Sequence, residues 1–143
     1  AREQMSALFE RLAGEHGEHD AELRIGDRPV AAWRRSSDVV WFSFVSLCEG
    51  PRSQNDYAEI ADEFHTVFLS DVPQFNELQD DAARRFIALV DEFYDRGVKL
   101  VLSAAAAPDQ LYRGERLRFE FQRTASRLIE MQSEQYLARA HRG

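Results

Sequence analysis

Lysine is nearly missing from this chain. Lys99 is the one lysine among 143 residues, against 17 arginines. A phosphate-binding loop needs glycines followed by Lys-Ser or Lys-Thr, so that backbone N–H groups and the ammonium cradle the phosphates. Lys99 is followed by Leu100, none of the seven glycines precedes a lysine, and no G-x-G-x-x-G occurs. Cysteine is equally scarce. Cys48 stands alone, which excludes an internal disulfide, fits a reducing compartment, and reads as a small buried hydrophobe at the end of WFSFVSLC. No apolar run approaches the ~18 residues of a membrane span, and AREQMSALFERL spaces Met5, Leu8, Phe9 and Leu12 as an amphipathic helix rather than a signal peptide. Positive charge is in deficit, with a net charge of −7. An acidic surface repels phosphate backbones, which argues against nucleic acid as the main partner.

What is present suits one domain. The composition, 44% hydrophobic and 11% aromatic, is that of an ordinary globular chain with a sizeable core. GEHGEHD (14–20) reads as a polar loop, and its His16 and His19 lack the further ligands that a zinc site requires. Residues 22–47 read as a small antiparallel meander, with a Gly26-Asp27 turn and an aromatic-rich strand from Val39. Over 53–112 an α/β unit follows. Ser53 is placed to cap a helix over 55–64, and two near-continuous apolar runs, 66–71 and 98–103, flank an amphipathic helix over about 80–96. Phe86, Leu89, Val90 and Phe93 form that helix's core stripe, while Arg84, Asp91 and Asp95 lie away from it, on a face that is either solvated or met by the rest of a longer protein. A long C-terminal helix is expected over 118–141, with Leu128, Met131, Tyr136 and Leu137 needing burial. The fold class is therefore α/β: a parallel strand–helix–strand unit, a preceding antiparallel meander and a long C-terminal helix.

Several polar residues stand where ligands bind in such folds. Open α/β sheets hold ligands beyond the carboxyl ends of their strands, where Asp71 and Ser103 fall. Asp71 is followed by Val72 and Pro73 rather than a second acid, so it reads first as a cap or turn residue. Arg123 and Arg127 share one helix face at i, i+4. They suit either a charge-dense phosphate or salt bridges to Glu120 and Glu130 at i±3, pairs worth only about 0.2–0.5 kcal/mol each. Arg52 precedes a helix start that could hold an anion. Asp71 and His65 have no nucleophile beside them, so a small hydrolase is poorly supported.

The wording is more specific than the pattern. PRSQNDY (51–57), FLSDVP (68–73), RRFIALVDEFYD (84–95), LVLSA (100–104) and FQRTASRLIEM (121–131) follow one another in this order. Together they resemble the C-terminal part of the ZapE family of AAA+ ATPases, the bacterial division ATPase and its mitochondrial relatives, over about residues 23–137. The resemblance implies a whole protein that hydrolyses ATP with Mg²⁺, can form homo-oligomers, and acts in the bacterial cytoplasm at the division septum on the polymer protein FtsZ. It implies that residues 1–143 are one domain, a C-terminal piece lacking the Walker A loop and inactive alone. Arg123, Arg127, Arg52, Asp71 and Ser103 become candidates for nucleotide sensing or subunit contact, with no catalytic residue and no metal ligand among them. The alternative is a stand-alone, non-enzymatic adaptor that binds through an acidic helix face or through Trp33, Trp41, Phe42 and Phe44.

Overall fold

The computed structural model describes residues 2–138. Helix α1 (Arg2–Ala13) precedes a hairpin of β1 (Glu18–Ile25) and β2 (Arg28–Arg35). The two turn residues, Gly26 and Asp27, have φ of 58° and 63°. Positive φ at both positions gives the turn whose twist matches the strands, and Gly-Asp is a pair that supports it. Strand β3 (Val39–Ser43) pairs antiparallel with β2 and parallel with β4 (Thr66–Val72), and β5 (Lys99–Ala104) adds parallel to β4. The result is a five-stranded sheet in the order β1-β2-β3-β4-β5. The expected meander and parallel unit are both present.

Helices α3 (Gln54–Glu63) and α4 (Asp80–Asp95) and the C-terminal helix α5 (Arg118–Glu130) cover one sheet face. Val40, Phe42, Val67, Leu69 and Leu100 meet Tyr57, Ile60, Phe86, Leu89, Val90, Phe93 and Phe121 there in one core. The near-continuous apolar reading of β4 follows from burial on both sides, since residues of opposite parity serve the second face. On that face Phe68 and Trp41 pack with Val39 under Met5 and Phe9 of α1. Phe9 stacks on Trp41 at a centroid distance of 6.2 Å and meets Phe68 edge-on at 5.5 Å. The Trp41 indole donates to Ser70 Oγ at 2.6 Å, which satisfies a buried donor that would otherwise be costly.

Three boundaries differ from the sequence reading. The GEHGEHD loop gives way to β1 at Glu18, whose first residues are exposed on an edge strand and carry no apolar alternation. The strand from Val39 ends at Ser43 instead of running on, because Ser43 Oγ accepts from the Ser46 N–H at 3.2 Å and caps a short helix α2 (Phe44–Cys48). The C-terminal helix breaks after Glu130, and α6 (Glu134–Leu137) restarts with Ser133 Oγ accepting from Tyr136 N at 3.2 Å. Leu137 is exposed at 44%, whereas Leu128, Met131 and Tyr136 are buried as expected. The expected continuation of this helix to Ala140, and His141, lie outside the described residues.

Candidate functional site

The strand ends come together first. The Asp71 N–H donates to Ser103 Oγ at 2.8 Å, joining the carboxyl ends of β4 and β5. The ladder between these strands shifts register between Leu69 and Val72, and Asp71 sits in that irregularity at φ 65°. Aspartate tolerates the left-handed region better than most residues, which accounts for its place in a bulge. Its side chain is exposed and its contact runs through the backbone, so it is a bulge residue within β4 rather than the cap or turn residue expected. His65 lies at the opposite end of β4, with Nδ1 2.7 Å from Thr66 Oγ1 and Nε2 4.0 Å from Asp38.

A second grouping forms between α4 and α5. Arg123 Nη2 and Arg127 Nη1 donate to the two oxygens of Asp91 at 3.3 and 2.5 Å. Asp91 therefore does not belong to a solvated face; it is the shared acceptor for both guanidinium groups. The local partners expected from spacing, Glu120 and Glu130, do not take this role. Glu130 instead accepts from the Tyr94 hydroxyl at 2.7 Å, while the Arg127 guanidinium lies 4.7 Å from the Tyr94 ring centroid. Tyr94 stacks on Tyr136 at 5.7 Å, and the Tyr136 hydroxyl donates to Val98 O at 2.6 Å. Arg127 is thus tied through aromatic contacts to the residue that precedes β5. Arg123 is the more open, its side chain 58% exposed against 24% for Arg127. A guanidinium carries five donors, so each retains capacity for a further anion beside Asp91.

Arg52 joins neither group. Its Nε donates to Ser46 O at 3.0 Å, fastening the segment between α2 and α3. At the start of α3, the Asp56 carboxylate accepts from the Ser53 N–H at 3.0 Å, the carboxylate half of a capping box. The aromatic surface suggested for an adaptor is not available: Trp41, Phe42 and Phe44 are all buried, and Trp33 is half-buried with the Arg2 guanidinium 3.6 Å above its ring. Asp91 and Tyr94 escaped sequence reasoning as site residues. Each lies off the core stripe of α4, and only the packing of α5 on α4 brings them to the arginines.

These groups do not amount to a cradle for a nucleoside triphosphate with its metal ion. Both arginine forks face a carboxylate, the Ser103 hydroxyl is bonded to a backbone N–H, and Asp71 has no second acid beside it.

The AFG1-like ATPase family matches residues 1–140. The chain belongs to the AFG1-like ATPase family. It is 51% identical over 140 residues to the cell division protein ZapE of Escherichia coli (strain K12), covering 98% of this chain and 37% of that protein. It is 35% identical over 170 aligned positions to lactation elevated protein 1 homolog B of Danio rerio, covering 95% of this chain and 34% of that protein. The chain thus spans little more than a third of the curated relatives it matches. No solved structure matches it significantly.

Proposed function

We propose that these residues are the C-terminal domain of a ZapE-like ATPase that works in bacterial cell division. The observation carrying this reading is 51% identity across 98% of the chain to a cell division protein of the same ATPase family. The whole polypeptide uses ATP with Mg²⁺, as membership of an ATPase family supports. The whole protein hydrolyses ATP, forms homo-oligomers and acts on the division polymer FtsZ at the septum in the cytoplasm. No helix among the described residues is long and apolar enough to cross a membrane.

Within this reading, Arg123 and Arg127 report the nucleotide state of the assembled enzyme, from across a subunit contact or from a lid. A phosphate or a neighbouring carboxylate competes with Asp91 for their forks. The partly exposed Arg123 is the first to exchange partners. Arg52, Asp71 and Ser103, which stand apart from the two arginines, are the further candidates for nucleotide sensing or subunit contact.

The test is steady-state ATP turnover by the whole polypeptide and its variants, with thermal melting measured beside it. Arg123→Ala or Arg127→Ala should lower kcat on the order of tenfold to a thousandfold, the cost of losing a donor to developing charge. Arg→Lys should rescue poorly, since a point charge does not reproduce the planar fork. The chain of 143 residues alone should release no phosphate from ATP. Unchanged kcat in both alanine variants removes the arginine assignment, and absence of turnover by the whole polypeptide removes the ATPase reading.

A further inference from the structure

The two edges of the sheet are built differently. Along β1 the exposed residues include Glu18, His19, Asp20, Glu22 and Arg24, and Asp20 adopts φ 51°. Charges and an irregular residue are the means by which natural edges resist pairing with a further strand. Strand β5, KLVLSA, has none of these devices beyond Lys99 at its start. Its Val101, Leu102 and Ser103 are half-buried and Ala104 is exposed.

The direction of the backbone groups follows from the ladder. Lys99 N donates to His65 O at 2.9 Å, so Lys99 faces β4. Alternate residues of a parallel strand direct their N–H and C=O groups to opposite sides. Leu100 and Leu102 therefore aim theirs outward, and among the described residues no hydrogen bond reaches them from that side.

An apolar groove of about 610 Å³ runs along this edge. One wall is Leu8 of α1 with Val101, which belong to the sheet face under α1. The opposite wall is Leu128 and Ile129 of α5, on the face that carries the main core. Ile129 is 59% exposed. A strand laid against β5 would find apolar side chains above and below it, while its main chain met the open N–H and C=O groups. Such an occupant must be apolar on both faces, as β4 is, because strands enclosed in a parallel sheet read as continuous hydrophobic runs.

We propose that a sixth strand completes the sheet at β5, supplied by the part of the longer polypeptide that these residues lack. The proposal rests on the reading that the chain is one portion of a longer ATPase; its E. coli relative extends well beyond the 37% matched here. A free peptide partner would be β-augmentation in the usual sense. An intramolecular strand is preferred because the edge carries no charge pattern to select a foreign partner, and because parallel sheets normally have both faces and their strands enclosed.

Amide hydrogen exchange, residue by residue, compares the chain of 143 residues with the whole polypeptide in the absence of nucleotide. The Leu100 and Leu102 amides should exchange on the order of a hundredfold more slowly in the whole polypeptide, as an opening reaction replaces direct solvent access. The Val101 amide, directed at β4, should be protected in both and reports that the strand is folded. Leu102→Lys in the whole polypeptide should return Leu100 to fast exchange while Val101 stays protected. Equal, fast exchange at Leu100 and Leu102 in both proteins overturns the proposal. So does protection in the shorter chain that grows with its concentration, which means that a second copy covers the edge. None of these readouts depends on ATP turnover, so loss of the ATPase reading and loss of the sixth strand are separate results.

Discussion

Asp91 holds two cations of unequal burial, and the inequality decides what each is worth. Its carboxylate side chain is 20% exposed, facing Arg127 at 24% and Arg123 at 58%. An exposed ion pair contributes about 0–1 kcal/mol, whereas breaking a buried one costs about 3–5 kcal/mol. Arg127 lies between these limits and also gives up its contact with the Tyr94 ring. Arg127→Ala should therefore destabilise the fold by about 1–2 kcal/mol, and Arg123→Ala by less than about 0.5 kcal/mol. Asp91→Asn should resemble Arg127→Ala, because it leaves a half-buried guanidinium without its counter-charge. Urea unfolding of the three variants checks the order, and an Arg123→Ala loss as large as that of Arg127→Ala would contradict it. Turnover of an Arg127 variant is therefore compared per folded molecule, because Arg127 has a structural role that Arg123 lacks.

At the scale of elements, α1 is held by few contacts of distinct kinds. Phe9 and Met5 fill the second sheet face, and Glu10 receives Arg34 at 3.1 Å and His16 Nδ1 at 3.2 Å. Arg34 is itself buried, donates to His16 O and lies 4.6 Å from the Phe9 ring centroid. The hydrogen bond with His16, followed by that from Arg34, holds the Glu10 carboxyl below its ordinary value. A carboxyl lowered in the folded state contributes stability that is complete above its unfolded value, about pH 4.3. That contribution is lost as pH falls through the lowered value. Acidification from pH 5 should loosen α1 and expose Trp41, read as a red shift in tryptophan emission. In Glu10→Gln the shift should be present at pH 7, with little further change across the same window. An unaltered acid transition in that variant assigns the step to other carboxylates.

The same scale shows what the sequence could and could not convey. Strands β4 and β5 and the apolar stripe of α4 were legible because periodicity and continuous hydrophobicity are local properties. The first residues of β1 were not, since an edge strand with an exposed face needs no apolar alternation. The strand expected over 39–44 ends one residue earlier, and the helix that follows it was not legible because it depends on a serine side chain capping the next turn. Asp91 was hidden for another reason. Its partners lie 32 and 36 residues away, while Glu120 and Glu130 offered nearer candidates at helical spacing. Asp71 and Ser103 were expected just past their strands; both lie within the last residues of β4 and β5, and the bulge that turns Asp71 to the left-handed region arises only when the two strands pair.

For the whole molecule, the asymmetry between the two sheet faces sets which parts open together. One face carries α2, α3, α4 and α5 around a continuous core, and the other has α1 alone among the described residues. Cys48 lies in the first core with no measurable exposure. Burial pushes its thiol up to about 12, outweighing the Tyr57 hydroxyl that approaches the sulfur at 3.9 Å. The thiolate is the reactive form, so at pH 8 a native Cys48 is disfavoured both chemically and sterically. Loss of α1 alone leaves this site covered, because α1 packs on the opposite face. Alkylation by iodoacetamide at pH 8 in increasing urea should therefore follow the far-UV transition of the main core. It should lag behind the change in Trp41 emission wherever α1 detaches first. Rapid labelling in the absence of urea, or labelling that tracks the Trp41 signal when the two transitions separate, would mean that the two faces are not independent and that α1 secures the whole core.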